Sequence, residues 1–222
     1  MRRLYPAGPG SDDVSVRQAY AVERPRPVDR PWVELCMVAS IDGTTVIDQR
    51  SSGLSNPVDQ EVLSTLRALA DIVIVGAGTV RAERYGPPKK PGQRIGVVSH
   101  RGDIDPNLPL FTSGAGFLIL PEDAPAVQVE SVRAGRGELD LAGALGQLDV
   151  GFVQAEGGPG LNGALLDADL IDELNLTISP QLAGGDGPRV VSHATAMSRR
   201  MRLAHLLEDD GFLFARYVRA GT

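Results

Sequence analysis

Alternating blocks of apolar and polar residues divide this chain into buried strands and the segments that connect them. Near-continuous apolar runs cover residues 32–39, 71–75, 94–98, 116–120 and 150–155. Runs of this kind are typical of strands that are covered on both faces. Helical patterns lie between several of them, and a strand–helix–strand crossover places its two strands parallel. The pattern therefore predicts an α/β protein with a mainly parallel sheet.

A helix with a recognisable start follows the first strand. Asn56 precedes Pro57, and the asparagine side chain can cap the helix while proline occupies its first position without losing a hydrogen bond. The helix should run to about Leu69. Its apolar face consists of residues spaced by about one helical turn: Val62, Leu63, Leu66 and Leu69.

The two ends of the chain differ in character. Residues 1–30 are rich in proline, arginine, aspartate and glycine, so we expect an extended N-terminal arm that contributes no core element. Residues 31–222 are expected to form a single domain. Near the C-terminus, Asp210-Gly211 lies between two apolar runs and predicts a β-hairpin.

Glycine-rich turns follow two of the predicted strands. The first is Gly76-Ala77-Gly78, and the second spans residues 157–160. Free backbone amides at a helix start, approached closely through glycine, form an anion site suited to a diphosphate. Parallel strands would bring both turns to one edge of the sheet. The motif is incomplete because Arg81 replaces its third glycine, so an ordinary tight turn is the alternative.

The residues after the 94–98 strand bear on the choice of cofactor. They lie about 20 residues beyond the first glycine turn, where dinucleotide sites commonly contact the adenosine ribose. Ser99, His100 and Arg101 stand there without an acid. Such donors suit a 2′-phosphate, so the segment favours NADP over NAD; a solvated strand end is the alternative.

Composition excludes several functional classes. The net charge of -6 and a pI near 5.1 give no footprint for nucleic acid or an anionic membrane. No apolar window is long enough to span a membrane and no signal sequence begins the chain, so we expect a cytoplasmic protein. Cys36 is the single cysteine, which excludes an intrachain disulfide and a thiolate-rich zinc cluster. No metal site is predicted.

Five motifs in order carry a family resemblance. They are Val38-Ala-Ser-Ile-Asp-Gly43, residues 66–71, residues 75–83, Ala155-Glu-Gly-Gly-Pro159, and residues 171–173 with Ser179-Pro180. Over residues 32–219 the chain resembles the riboflavin-biosynthesis pyrimidine reductases, the reductase half of the bacterial bifunctional deaminase-reductase. The zinc motif of the deaminase half does not occur.

The resemblance implies a dihydrofolate-reductase-like, three-layer α/β/α sandwich with a mixed, mainly parallel central sheet, paired as a homodimer. It also implies NADPH as the cofactor, lying across the glycine turns. The implied reaction resembles that of 5-amino-6-(5-phosphoribosylamino)uracil reductase, in which a ribosylaminopyrimidine becomes a ribitylaminopyrimidine. The cofactor would carry the hard step while the protein supplies orientation and electrostatics.

Site residues follow by matching motifs. Those expected at the cofactor are Val38, Ala39, Gly76, Gly78, Thr79, Glu83, Ser99, His100, Gly157, Gly158, Pro159, Gly160, Leu161 and Asn162. Those expected to hold a phosphorylated pyrimidine or pterin substrate are Ser52, Arg67 and Glu156. Asp42 and Glu156 are the expected catalytic residues.

One segment departs from the family pattern. Residues 84–90 lack the usual substrate-gripping arginine, and Arg84, Lys89 and Lys90 are the candidates to replace it. Two alternatives therefore stay open: a dihydrofolate- or pterin-reductase-like activity, and a non-catalytic NADP-binding homologue. A short-chain Rossmann oxidoreductase is disfavoured because no Tyr-x-x-x-Lys pair follows. His193 and His205 are interpreted as surface or core-edge residues.

Overall fold

A single sheet organises the computed structural model, which describes residues 1–7, 13–83 and 85–221. In these residues the sheet has ten strands. They are β1 Arg2–Tyr5, β2 Trp32–Ser40, β3 Ile72–Gly76, β4 Arg94–Val98, β5 Gly116–Leu120, β6 Ser131–Arg133, β7 Phe152–Ala155, β8 Glu173–Ser179, β9 Met201–Asp209 and β10 Phe212–Arg219.

Six α-helices occur in the described residues. They are α1 Val16–Tyr20, α2 Pro57–Leu69, α3 Ala77–Glu83, α4 Pro109–Thr112, α5 Leu141–Gly146 and α6 Pro159–Asp167. A short 3₁₀ turn at Ser51–Gly53 precedes α2. Helix α5 begins where the Asp140 side chain accepts a hydrogen bond from the Gly143 N–H.

The strand order is β1-β9-β10-β8-β2-β7-β3-β4-β5-β6. The seven strands β2 to β8 pair with one another in parallel. Antiparallel pairing joins β8 to β10, β10 to β9 and β9 to β1. The predicted mixed, mainly parallel sheet is confirmed, and so is the C-terminal hairpin.

Helices cover both faces of the sheet. On one face, α1 and α2 pack against the hairpin strands β9 and β10, while α3 and α4 pack against β3, β4 and β5. On the other face, α5 and α6 bury Leu145 and Leu165 against Val33 and Ile74. Each face thus has its own apolar core, and the sheet between them gives the predicted three-layer arrangement.

Local sequence rules account for two features that the structure has at the predicted residues, the start of α2 and the turn of the C-terminal hairpin. The Asn56 side chain accepts a hydrogen bond of 2.8 Å from the Asp59 N–H, with Pro57 in the first turn of α2. In the hairpin, Asp210 has φ 48° and Gly211 has φ 79°, the left-handed pair that a two-residue hairpin turn requires. Both predictions are confirmed.

The N-terminal arm prediction is wrong for the described part of residues 1–30. Strand β1 pairs with β9 at the edge of the sheet, and Ser15 and Gln18 form a capping box at the start of α1. Helix α1 buries Tyr20 against α2 and the hairpin. The element was missed because five residues give too short a periodic pattern to read against a proline- and arginine-rich background.

Candidate active site

The two glycine turns meet because β3 and β7 are parallel neighbours. The Gly76 N–H donates to the Gly157 carbonyl at 2.7 Å. A Cβ on Gly76 would lie 3.3 Å from the Gly158 nitrogen, and a Cβ on Gly158 would lie 2.8 Å from Thr79 Oγ1. Gly157 itself has φ +79°. These turns approach so closely that side chains at 76 and 158 would push them apart.

Two cavities meet at the glycine turns. The first, of about 550 Å³, is lined by β2, α2, the 49–55 turn, α3, residues 85–89 and Glu156. The second, of about 900 Å³, is lined by residues 98–101, residues 138, 139 and 141, the start of α6 and His193. Both are bounded by Gly78, Thr79, Gly158 and Pro159. A ligand in one cavity can therefore touch a ligand in the other across the turns.

A buried carboxylate lies at the wall of the first cavity. The Glu156 side chain is 3% exposed. Arg67 donates to it through two atoms, Nε to Oε1 and Nη2 to Oε2, each at 2.5 Å. Tyr85 donates its hydroxyl to Oε2 at 2.5 Å. Two of the three predicted substrate residues thus bind each other, and Tyr85 joins them.

Burial and charge fix the protonation states of these partners. Burial acts against the charged Arg67 guanidinium, but its hydrogen bonds to Glu156 outweigh burial and raise its pKa. Burial raises the pKa of Tyr85 well above its usual value, and the Glu156 charge adds to the effect. Both side chains therefore remain donors near neutral pH.

Tyr85 was not predicted from the sequence. It lies in the 84–90 segment that departs from the family pattern, and that departure was the available signal. The segment is tied to the end of α2, because Gln93 Nε2 donates to the Arg67 and Ala70 carbonyls at 2.6 and 2.8 Å. Lys90 Nζ donates to the Ala70 carbonyl at 2.7 Å. These bonds hold Tyr85 in place over Glu156.

The three candidate cations of this segment differ in availability. Arg84 lies outside the described residues. Lys90 is engaged by the end of α2. Lys89 is exposed and lines the first cavity, where it makes no ion pair within the described ranges 1–7, 13–83 and 85–221.

Ser52 and Glu83 both line the first cavity. Glu83 accepts hydrogen bonds from the Ser51 backbone N–H and hydroxyl at 3.3 and 3.2 Å. Glu83 was expected at the cofactor, but its carboxylate is placed beside the 3₁₀ turn and is not among the residues lining the second cavity.

Strand β2 supplies the inner wall of the first cavity. Val38 and Cys36 line it, whereas Ala39 is 4% exposed and is not among the lining residues of either cavity. Burial, with the charge of Glu34, raises the pKa of the Cys36 thiol well above its usual value. Cys36 is therefore a neutral, apolar part of the wall near neutral pH.

Asp42 is not brought to either cavity. Its exposed carboxylate accepts hydrogen bonds from the Ser40 hydroxyl and from the backbone N–H groups of Ala183 and Gly184. These bonds, led by that of Ser40, lower the pKa of Asp42 to about 2. The arrangement joins the end of β2 to the loop after β8, and Asp42 is not among the residues lining either cavity.

The second cavity gathers the residues expected at the 2′-phosphate. Ser99, His100 and Arg101 line it. Ser99 Oγ accepts from the Gly102 N–H at 3.1 Å, which shapes the turn after β4. His193, interpreted from sequence as a surface or core-edge residue, also lines this cavity.

The start of α6 forms another wall of the second cavity. Gly160 and Leu161 line it, and nothing lies within 4 Å of a Cβ built on Gly160. First-turn N–H groups have no acceptor within the helix. Asn162 is fully buried and donates to the Val190 carbonyl at 2.7 Å, so it holds the 187–195 loop instead of lining the cavity.

The described residues offer neither a cluster of metal ligands nor a membrane-spanning helix. No group of three or more histidine, cysteine, aspartate or glutamate side chains there could hold a metal ion. In the same ranges, no helix is long and apolar enough to cross a membrane.

Solved structures identify the fold. A pyrimidine reductase-like protein from Corynebacterium diphtheriae superposes with a TM-score of 0.79 at 22% identity, over 94% of this chain and all of that one. The deaminase and 5-amino-6-(5-phosphoribosylamino)uracil reductase of Thermotoga maritima gives 0.71 at 19%, over 86% and 57%. Dihydrofolate reductase from Enterococcus faecalis, complexed with NADP(H), gives 0.52 at 13%, over 85% and 96%. The dihydrofolate-reductase-like fold is confirmed.

Sequence comparison identifies the family. The chain is 27% identical over 207 residues to the 2,5-diamino-6-ribosylamino-4(3H)-pyrimidinone 5′-phosphate reductase of Methanothermobacter thermautotrophicus, covering 82% of this chain and 95% of that protein. The sequence model of the RibD C-terminal domain matches residues 31–212. This chain belongs to the family of the RibD C-terminal domain.

Proposed function

We propose that this protein is an NADPH-dependent reductase of a ribosylaminopyrimidine phosphate, acting in riboflavin biosynthesis. The observation that carries the proposal is the pair of cavities that meet at the glycine turns, one of them ending at the buried Glu156 carboxylate. Two ligands seated side by side are what a transfer between a cofactor and a substrate requires.

The second cavity fits a dinucleotide phosphate. Open space at Gly78 and Gly160 would let a phosphate reach the backbone N–H groups of the two turns. His100 and Arg101 supply donors for a 2′-phosphate, with Ser99 buried behind them. When bound, the cofactor supplies a hydride. Tighter binding of NADPH than of NADH by calorimetry is the expected result, and equal affinity would remove this part of the proposal.

The first cavity would hold the pyrimidine. Glu156 would accept an N–H of the ring, while Arg67 and Tyr85 hold the carboxylate in place. Ser52 and Lys89 are available to the phosphate. The reaction consumes one hydride and one proton, so no side chain needs to act as a nucleophile.

Asp42 acts as a positioning residue in this proposal. Its hydrogen bonds hold the 181–184 loop against the end of β2. Asp42 lies two residues beyond the last residue of β2, the strand that forms a wall of the first cavity. Asn162 has the corresponding role for the 187–195 loop beside the second cavity.

Assembly and location complete the proposal. We infer a homodimer, as the family resemblance implies, that acts in the cytoplasm with a small-molecule substrate and with neither nucleic acid nor membrane as partner. The acidic net charge supports the last point.

Anaerobic spectrophotometry of NADPH oxidation tests the proposed function. The aminopyrimidine phosphate should be reduced, and dihydrofolate should be reduced much more slowly or not at all. Turnover of dihydrofolate alone would favour the pterin-reductase alternative. Tight NADPH binding with no turnover of either substrate would favour a non-catalytic NADP-binding protein.

A further inference from the structure

A further carboxylate lines the first cavity and has no part in the proposed substrate binding. Asp59 lies in the first turn of α2, is 9% exposed and is one of the lining residues. Its Oδ2 accepts a hydrogen bond of 2.6 Å from the Ser55 hydroxyl. Within residues 1–7, 13–83 and 85–221, no cation pairs with Asp59, and its Oδ1, which is not sealed by protein atoms, binds no donor. Oδ1 is therefore free to meet a ligand.

The charges that line the first cavity do not cancel. Arg67 and Glu156 neutralise each other through their paired hydrogen bonds. Lys89 is the one remaining cation among the described lining residues, where Asp59 and Glu83 are two carboxylates without an ion pair. Of these two, Asp59 is the more deeply buried. The described wall therefore carries an excess of negative charge, which favours a donor or a cation in the ligand.

Asp59 and Glu156 border the same part of this cavity. Cys36 on β2 and Glu156 after β7 follow directly paired residues of the two strands, and Cys36 lines the cavity together with Asp59. Burial raises the pKa of the Cys36 thiol, and the charges of Glu34, Asp59 and Glu156 add to the rise. The thiol thus lies near both cavity carboxylates. A pyrimidine held at Glu156 brings its exocyclic nitrogen toward the part of the wall that Asp59 forms.

Capping of α2 does not account for the Asp59 carboxylate. The cap is the Asn56 side chain, which accepts a hydrogen bond from the Asp59 N–H, whereas the donor to the Asp59 side chain is Ser55. The helix dipole favours a carboxylate in this turn, but it would favour one that points to solvent as well. The burial of Asp59 in the cavity wall is therefore explained better by a ligand than by the helix.

The proposed reaction creates a positive charge on the substrate. The carbon that accepts hydride in a cyclic ribosylamine is saturated, so its bond to the ring oxygen must break first. The electron pair of that bond goes to the oxygen, which takes a proton from solvent, while the nitrogen lone pair forms a C=N bond and the nitrogen becomes positive. Hydride then adds to the carbon, and the π pair returns to the nitrogen. A carboxylate without a cation stabilises the iminium between these two steps.

We propose that Asp59 is an electrostatic catalytic residue whose free Oδ1 pairs with the iminium group of the ring-opened substrate. The inference rests on the proposed function and adds a residue to the same site. Ser55 fixes the carboxylate for this role through its hydrogen bond to Oδ2. Lys89 remains for the substrate phosphate, because the carboxylates without an ion pair repel that group.

The first test measures binding of two sugar phosphates that differ in one group. At neutral pH, 1-amino-1-deoxyribitol 5-phosphate carries an ammonium in place of the iminium, whereas ribitol 5-phosphate carries a neutral hydroxyl there. Calorimetry on the parent protein should show about tenfold or more tighter binding of the ammonium compound, the scale of a charge-assisted hydrogen bond. In Asp59→Asn, which keeps the shape and an acceptor for Ser55, the two affinities should come within about threefold of each other.

The second test measures hydride transfer in a single turnover with saturating NADPH. Asp59→Asn should slow this step by about ten- to hundredfold, while the KM for substrate changes by less than about threefold. Glu61→Gln removes a charge from the exposed side of α2 and should change neither the rate nor the ammonium preference. The single-turnover rate and the ratio of two affinities do not depend on the folded fraction, so a partly unfolded variant still reports.

Each result decides between a catalytic and a merely structural Asp59. An ammonium preference that survives in Asp59→Asn would overturn the inference and leave the reductase assignment intact. A parent protein that binds the two sugar phosphates equally, or binds neither, would also overturn it. So would a raised KM with an unchanged rate of hydride transfer, because Asp59 would then only bind substrate hydroxyls. Absence of turnover in the parent protein would instead refute the proposed function, and the inference with it.

Discussion

At the scale of single residues, motif matching indicated candidate substrate residues but not the contacts between them. Arg67 and Glu156 were both predicted at the substrate from the sequence, yet nothing in the spacing of residues 67 and 156 indicated that they bind each other. Tyr85 could not be predicted, because its partner lies 71 residues away and the local proline- and lysine-rich sequence gives no sign of that contact. Long-range contacts of this kind depend on the packed fold.

The role of Glu156 is tested by Glu156→Gln. The substitution keeps the size and one acceptor but removes the charge, so turnover should fall roughly ten- to hundredfold, the scale of a lost charge-assisted hydrogen bond. NADPH affinity should change much less, since the proposed cofactor site lies beyond the glycine turns. Steady-state kinetics and calorimetry measure the two effects.

Glu61→Gln is the matched control for that substitution, because Glu61 is exposed on α2 and should leave both quantities unchanged. Should Glu156→Gln lose NADPH affinity and thermal stability together, with the turnover of bound complex intact, Glu156 is a structural turn residue.

The buried Glu34 should make stability depend on pH. Burial, aided by the negative charge of Glu173, raises the pKa of Glu34 from 4.5 to about 8. The folded protein therefore binds this proton more tightly than the unfolded chain, so the contribution of Glu34 to stability is present below about pH 4.5 and lost as pH rises through 8. Glu173 has a lowered pKa because Arg216 and Arg24 outweigh its burial, which places its own effect below this window.

Glu34→Gln stays neutral at every pH and removes that dependence. The midpoint temperature of the variant, relative to the parent protein, should therefore rise between pH 5 and pH 8 in thermal melts. A difference that stays constant across this range would show that Glu34 is not held neutral by its burial.

At the scale of elements, prediction succeeded where the local signal was strong. The start of α2, the bounds of β4 and β5, and the hairpin turn follow from a cap, apolar runs and an Asp-Gly pair. The signal is weaker at the far edge of the sheet, where β6 spans only Ser131–Arg133. There a parallel pairing with β5 decides the bounds, and pairing is not visible in a single segment.

Tyr20→Ala tests whether α1 belongs to the core. Tyr20 is 1% exposed and packs edge-on against His205 with ring centres 4.9 Å apart. Removing a buried aromatic ring should lower the free energy of unfolding by about 3–5 kcal/mol. Urea denaturation measures it, with Arg17→Ala on the exposed side of α1 as the control. Equal stability of the two variants would restore the description of this region as an arm.

At the scale of the whole molecule, the fold class could be predicted because apolar runs and crossovers restrict the topology to few choices. The site required the fold, since it combines β2, α2, Glu156 and residues 85–89 from distant parts of the chain. Family motifs supplied part of this information in advance. The choice of Lys89 over Lys90 as the cation for the substrate phosphate depended on the fold, because only the structure shows that Lys90 is hydrogen-bonded to the end of α2.

Assembly is a separate prediction at this scale. A homodimer should sediment at twice the 23.5 kDa mass of one chain at micromolar concentration. Sedimentation velocity over a range of concentrations measures it, and a species that stays at 23.5 kDa throughout would contradict the proposed pairing.

The central claim is that the two cavities bring NADPH and a ribosylaminopyrimidine phosphate together for direct hydride transfer. The most direct measurement is mass spectrometry of the product formed with NADPH that carries deuterium at both C4 positions of the nicotinamide. The account predicts a ribitylaminopyrimidine phosphate with one deuterium bound to carbon. A reduced product without deuterium would contradict the account. Oxidation of NADPH without formation of a reduced pyrimidine would contradict it as well.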